Sequence, residues 1–186
     1  MSFKAIEYRF TLIKLIIFNR LGVKSMATDK KTKSKIKVDE DQKPGFALEK
    51  LYLKDVSVEV PNAPEIFTER DAPKISIELN NEAKPLADGF YEVALQLTVT
   101  AKMEKNTAFV VDIVQAGIFT IKNIPEDGLE AVIAITCPNI LFPYAREAIS
   151  NFTVKAGFNP VQLQPINFEA LYMQEKEKQK KDSKKS

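Results

Sequence analysis

Four stretches of alternating apolar and polar residues predict β-strands in the middle of the chain. The first runs from Leu48 to Val60, and the second from Lys74 to Asn80. The third covers Phe90 to Met103 and the fourth covers Thr107 to Lys122, and only the short link EKN separates them. Because so short a link joins neighbouring antiparallel strands, we expect the last two strands to form a hairpin.

Helical spacing replaces this alternation after the fourth strand. Apolar residues recur at intervals of three and four from Cys137 to Phe152, which predicts an amphipathic helix. We expect Asn139 to cap its start and Gly157 to end it in a left-handed conformation. A short helix or an irregular lead-in is expected at Asp127–Ile135, and a last helix is expected to open at Asn167 as its cap. Strands followed by helices predict an α+β fold, with an antiparallel sheet covered by helices on one face.

The charge of the chain is unevenly distributed. Residues 46–174 contain 10 Lys and Arg against 17 Asp and Glu, although the whole chain has a net charge of +2. We therefore predict one acidic folded domain over 46–174. We expect a disordered or non-native basic extension over 1–45 and a flexible basic tail over 175–186.

An apolar run near the N-terminus, Phe10–Phe18, resembles a signal peptide only superficially. Lys14 interrupts it, no small-residue cleavage site follows it, and it is far shorter than the ~20 apolar residues that span a bilayer. Two interpretations stay open, a surface anchor and an upstream extension that is not part of the natural product. We favour the second, with Met26 as the natural start, and we expect the segment to add no structural element.

The residue types of the chain exclude several kinds of catalytic chemistry. The chain has no histidine and one cysteine, Cys137, so histidine-based catalysis, a cysteine metal cluster and an intrachain disulfide are unavailable. It has no glycine-rich phosphate loop, and its acidic domain lacks basic residues interleaved with aromatic ones. We therefore expect no enzyme activity, no cofactor, no metal and no nucleic-acid partner, and we expect Cys137 to be a buried, inert thiol.

The predicted main helix and the fourth strand carry more apolar residues than one small core requires. An ordinary core helix is one interpretation, and a contact between subunits is the other. The helix can bury its apolar face only once. We therefore expect a tetramer that splits into dimers, and we expect the contacts within a dimer and those between dimers to use these two elements. The expected interface residues are Val111, Ile113, Leu141, Ile149 and Phe152.

Five blocks of sequence resemble the SecB family of bacterial export chaperones, in order and with compatible spacing across residues 46–174. They are PNAPEIF at 61–67, YEVALQLTVTA at 91–101, AGIF at 116–119, CPNILFPYARE at 137–147 and PINFEALYM at 165–173. The resemblance implies a cytosolic homotetramer, a dimer of dimers, in which each protomer is a four-stranded antiparallel sheet with helices on one side. It implies a protein that holds unfolded precursor proteins and passes them to the SecA motor without consuming nucleotide.

The resemblance also implies two sets of site residues. Those expected to contact SecA are Asp55, Glu59, Val110 and Asp112, and those expected to bind clients are Phe67, Ile75, Ile77, Leu79, Leu171, Tyr172 and Met173. The chain departs from the family at Asp71, where tryptophan is frequent, and at Glu175 and Lys176, where apolar residues are usual. Asp112 is also shorter than the usual glutamate. We expect Asp71, Glu175 and Lys176 to shorten the client groove and weaken its hold on single segments, whereas Asp112 keeps the charge of the SecA contact but shortens its reach.

Two other classes of function stay open at this point. One is a small-molecule-binding or enzymatic α+β domain, and the other is an oligomeric adaptor without a client groove. A preference for unfolded over native protein in a binding assay would separate a holdase from both.

Overall fold

The structure is a computed structural model that describes residues 7–10, 44–87, 89–104 and 106–182. Its five strands form one sheet in the order β1-β3-β4-β5-β2. The strands are β1 (Glu7–Phe10), β2 (Gly45–Glu59), β3 (Lys74–Ala87), β4 (Phe90–Met103) and β5 (Asn106–Lys122). The pairs β2–β5, β5–β4 and β4–β3 are antiparallel, which confirms the predicted four-stranded antiparallel sheet and the α+β class.

Helices follow the sheet along the chain and cover one of its faces. They are α1 (Glu126–Ala131), a π-helical turn (Val132–Thr136), α2 (Cys137–Lys155) and α3 (Phe168–Asp182). The helix α2 packs over β5 and β4. Gly117 of β5 permits this close approach, because a Cβ atom there would lie only 3.1 Å from Cδ2 of Leu141.

The ends of these helices test three sequence predictions. Gly157 follows α2 with a φ of +89°, as expected for a left-handed stop. Asn167 caps α3, since the backbone N–H of Ala170 donates to its Oδ1 at 2.9 Å. The prediction for Asn139 is wrong, because α1 and the π-helical turn lead directly into α2 and leave no helix start at that position.

The C-terminal helix is longer than the sequence analysis predicted. The expected flexible tail begins at residue 175, but α3 continues to Asp182. Lysine, glutamate and glutamine favour helices, and the Nζ atom of Lys176 lies 3.2 Å from Oε2 of Glu130, which ties α3 to α1. The last part of the predicted tail, 183–186, lies outside the described residues.

The edge of the sheet at β3 also differs from the prediction. The strand β3 extends past Asn80 to Ala87 and includes Pro85, which is tolerated because, among the described residues, β3 pairs only with β4 at this position. The N-terminal segment was expected to add no structural element, and this is wrong for Glu7–Phe10, which pairs in parallel with β3. The rest of the predicted extension, residues 1–6 and 11–43, lies outside the described residues.

Candidate functional site

The face of the sheet away from the helices brings together the four residues expected to contact SecA. Residues directly opposite in antiparallel strands point to the same face. Glu59 pairs with Val110, Ser57 with Asp112, and Asp55 with Val114. Asp55, Glu59, Val110 and Asp112 therefore share this open face, and we call them the acidic patch.

The carboxylates of the acidic patch differ in how firmly they are held. Asp112 is partly buried, and its carboxylate accepts hydrogen bonds from Gln96 Nε2 at 3.2 Å and from Thr98 Oγ1 at 3.1 Å. Asp55 and Glu59 are exposed at the edge of the sheet. Asp112 is therefore fixed in place, while the other two side chains present negative charge directly to solvent.

A second polar cluster lies on the same face, toward the other end of β2. The Tyr52 hydroxyl donates to Glu92, and Lys54 Nζ lies 2.8 Å from Oε2 of Glu92. Burial together with the Glu92 carboxylate raises the pKa of Tyr52 to about 12. Burial alone would raise the pKa of Glu92, but hydrogen bonds from Lys54 and Tyr52 outweigh it and lower that pKa below 4.5. No local sequence pattern indicates this cluster, because Tyr52 and Lys54 lie far from Glu92 in the chain.

Three aromatic rings lead from the surface into the core near the predicted client residue Phe67. Phe67 is 50% exposed, and its ring centroid lies 5.3 Å from that of Phe158. The Phe158 ring lies 4.8 Å from that of the buried Phe109. A Cβ atom at Gly157 would lie 3.0 Å from the Phe67 ring, so glycine makes room for it. We call Phe67, Phe158 and Phe109 the aromatic path, of which sequence analysis identified only the first member.

The predicted client residues on β3 are less accessible than an open groove requires. Ile77 is 1% exposed and Leu79 is 5% exposed, whereas Ile75 is partly buried. Both buried residues belong to the same core cluster as Val161 and Leu163, which follow α2. Within one chain this face of β3 is therefore closed. A client would reach Ile77 and Leu79 only if the residues that bury them moved.

The three predicted client residues of α3 differ among themselves. Met173 is exposed, Leu171 is partly buried and Tyr172 is buried. The Nζ atom of Lys176 lies 4.6 Å from the centre of the Tyr172 ring. Lys176, at which the chain departs from the family, therefore lies over the predicted client residue Tyr172.

The predicted interface residues lie inside a single chain. The side chains of Val111, Ile113, Leu141 and Ile149 are fully buried, and Phe152 is partly buried. These residues form the contact between the sheet and α2, so the four buried ones cannot touch a second subunit directly. They could affect its binding only by holding the neighbouring surface residues in place.

An exposed apolar surface lies beside this core, on β2. Val56 pairs with Ile113 and Val58 with Val111, so these valines lie on the helix side of the sheet. The helix α2 packs over β5 and β4, which leaves the outer strand uncovered on that side. Five apolar side chains of this strand are between 37% and 40% exposed, and we call them the β2 strip: Phe46, Leu48, Leu53, Val56 and Val58.

The described residues offer little chemistry for catalysis. Cys137 is buried, and burial raises the pKa of its thiol to about 12, which removes the reactive thiolate at neutral pH. The described part of the chain holds no group of three or more Cys, Asp or Glu that could bind a metal ion. One open depression of about 440 Å³ lies beside Tyr91, Lys122 and Leu129.

Comparisons with known proteins agree with this architecture. The family model described as preprotein translocase subunit SecB matches residues 39–179. The protein-export protein SecB of Dechloromonas aromatica is 56% identical, over 76% of this chain and 93% of the relative. That of Methylobacillus flagellatus is 51% identical, over 76% of this chain and 90% of the relative.

A solved structure has a similar fold. It is a SecB-like chaperone of Mycobacterium tuberculosis in complex with a ChAD peptide from an antitoxin, with a TM-score of 0.56 and 17% identity. The match covers 65% of this chain and 90% of the other. With a family model and close relatives that cover most of its length, this chain belongs to the SecB family.

Proposed function

We propose that this chain is an ATP-independent export chaperone, a holdase that binds unfolded precursor proteins in the cytosol and delivers them to SecA. Family membership supports the class of function, and the names of the relatives support a role in protein export. We propose no enzyme activity and no cofactor. The alternative of a small-molecule-binding or enzymatic domain is disfavoured because the described residues bring together no reactive group.

The observation that carries this proposal is the aromatic path. Unfolded chains share exposed apolar and aromatic side chains, so a site for many of them must be apolar and lack charge-specific contacts. Phe67 presents a half-exposed ring that is backed by Phe158 and Phe109. We propose that client side chains insert beside Phe67, and that Met173, Ile75 and Leu171 extend the site. The buried residues Ile77, Leu79 and Tyr172 would contact a client only when the residues that bury them move.

The experiment compares affinities for the unfolded and native forms of one protein. We expect tight binding of the unfolded form and none of the native form. The variant Phe67→Ser should weaken client binding about tenfold and leave the folded protein almost as stable, because the ring is half exposed. Tyr144→Ser is the matched control, since the aromatic side chain of Tyr144 is 49% exposed on α2. Equal affinity of both variants would argue against the aromatic path as the client site.

We also propose that the protein assembles as a homotetramer, a dimer of dimers. The β2 strip supports this, because five neighbouring apolar side chains on an outer strand form a surface that a second copy can cover. Four of the predicted interface residues are buried in the core. We propose that they hold the β2 strip in place without contacting the second copy. Light scattering at micromolar concentration tests the assembly, and a monomeric mass at every concentration would contradict it.

We propose the acidic patch as the surface that receives SecA. Exposed carboxylates on a flat, open sheet face suit a basic partner and increase its rate of association. Client chains and SecA would then use different surfaces of the protomer, which would let the protein hold one while it meets the other.

A further inference from the structure

The outer edge of β3 is occupied by the chain's own N-terminal segment. One side of β3 pairs with β4, and on the other side Ser76–Leu79 pairs in parallel with Glu7–Phe10. The register sets Tyr8 opposite Ile77, Arg9 opposite Glu78 and Phe10 opposite Leu79. The buried residues Ile77 and Leu79 lie within the stretch of β3 that pairs with this additional strand.

This strand lies outside the part of the chain that matches the family. The family model begins to match at residue 39, and β1 ends at Phe10. The segment EYRF alternates charged and aromatic residues, and the apolar run Phe10–Phe18 follows it. Such a stretch has the composition that a holdase recognises in unfolded precursor proteins.

An outer strand presents unpaired backbone N–H and C=O groups, to which any extended polypeptide can add a strand. The four register pairs of β1 reach only as far as Leu79, so most of β3 has no second partner among the described residues. A strand of four residues is short enough to dissociate and rebind. The N-terminal segment is therefore placed to compete with another chain and not to exclude it permanently.

We propose that the N-terminal segment around Glu7–Phe10 is an internal competitor that occupies the outer edge of β3, where an unfolded chain could add a strand, until such a chain displaces it. This proposal takes the segment as part of the protein, in place of the expected start at Met26. This inference rests on the proposed holdase function. It assigns the segment a regulatory role, because a client must outcompete a tethered strand before it can pair with β3. The apparent affinity of every client for this edge then falls by the same factor, so clients that bind weakly are the first to stay unbound at a given concentration.

The experiment compares four proteins, namely the full chain, a chain that begins at Met26, Tyr8→Pro and the control Ser2→Pro. Proline at Tyr8 removes a backbone N–H and fixes φ within β1, whereas Ser2 precedes that strand. The probe is a reduced, carboxymethylated protein that cannot refold. The probe can bind only when the outer edge of β3 is free of β1. If this edge is free in one third of the full-length molecules, the Met26 chain binds the probe about threefold more tightly, and if it is free in one tenth, about tenfold more tightly. Tyr8→Pro should change affinity in the same direction, and Ser2→Pro should resemble the full chain.

Hydrogen exchange of Ser76–Leu79 provides a readout that does not depend on clients. Within this stretch, the amides that point toward β1 and not toward β4 should exchange faster in the Met26 chain and in Tyr8→Pro than in the full chain. Equal probe affinity for the full and Met26 chains would overturn the competition, and equal exchange would overturn the occupation of the edge. Failure of the holdase function has a different signature, because then neither chain binds the probe at all.

Discussion

The two faces of the sheet are built from the same strands, but only one is covered by helices. On β4, Val93, Leu95 and Leu97 are fully buried beneath α2, while Glu92, Gln96 and Thr98 alternate with this set on the open face. The covered face holds the domain together through apolar contacts. The open face contributes little to the core, and its charged and polar residues are therefore available for contacts with a partner.

This difference explains why several predicted site residues are core residues. Alternation and helical spacing report which side chains are buried in the folded chain. Val111 and Ile113 were predicted as interface residues from their apolar strand, and Ile77 and Leu79 as client residues from the resemblance to a family, yet all four are buried within a single chain. An apolar stripe alone does not distinguish a core from an interface.

The largest effect is expected from a charge placed on the covered face. Ile77→Arg puts a guanidinium where the native side chain is 1% exposed, and burial of an unpaired charge should lower the free energy of unfolding by more than about 3 kcal/mol. Urea denaturation measures this effect. An open client groove would give the opposite outcome, with normal stability and weakened client binding.

A second position of the same strand provides the matched control for that experiment. Glu82→Arg introduces the same side chain on the open face, where the native glutamate is exposed and pairs with Ala94. We expect a change in unfolding free energy within about 0.5 kcal/mol. Equal destabilisation by both variants would contradict the distinction between the two faces.

Most of the fold follows from local patterns, but its edges do not. Alternation and turn residues predicted the four antiparallel strands, and Gly157 and Asn167 predicted two helix ends. The start of α2 was misplaced, because the π-helical turn continues α1 into α2 and Asn81 donates to the backbone carbonyl of Ile133 there, across a large sequence separation. The pairing of β1 with β3 is equally non-local, since no local pattern indicates which edge a short strand will join.

The candidate site was predicted unevenly for the same reason. The resemblance to a family identified Asp55 and Glu59, and the register of β2 with β5 places them on one face. Phe158 was missed because its role depends on the rings of Phe67 and Phe109, which come from distant parts of the chain. Alternation predicted the strand that carries Val56 and Val58, but only the position of α2 reveals that these side chains are uncovered.

A smaller effect is expected when the charge of the open face is reversed. With Asp55→Lys and Glu59→Lys combined, SecA affinity should fall about tenfold at low salt and less at high salt, because exposed charges are screened. Client binding should be unchanged. Glu147→Lys with Glu169→Lys makes the same change of charge at exposed positions of α2 and α3. If this control weakened SecA binding as much, the effect would reflect net charge and not the acidic patch.

The smallest effect is expected at the hydrogen bond between Tyr52 of β2 and Glu92 of β4 on the open face. These two strands are not neighbours in the sheet. Tyr52→Phe removes the hydroxyl that donates to Glu92 and should lower the free energy of unfolding by about 1 kcal/mol near neutral pH. Tyr144→Phe, at an exposed position of α2, is the control and should have almost no effect.

The pH dependence of this difference tests its cause. The pKa of Tyr52 is raised in the folded protein, from 10.0 to about 12, so the unfolded chain ionises first as the pH rises. The stability that Tyr52 contributes is therefore complete below pH 10 and is lost as the pH rises toward about 12. The pKa of Glu92 is lowered below 4.5, so its contribution is present above that pH and is lost as the pH falls through the lowered value. The difference between wild type and Tyr52→Phe should thus be greatest between these limits and shrink at both ends, as measured by urea denaturation across the pH range. A difference that stays constant from acid to alkali would show that Tyr52 stabilises the open face by packing alone.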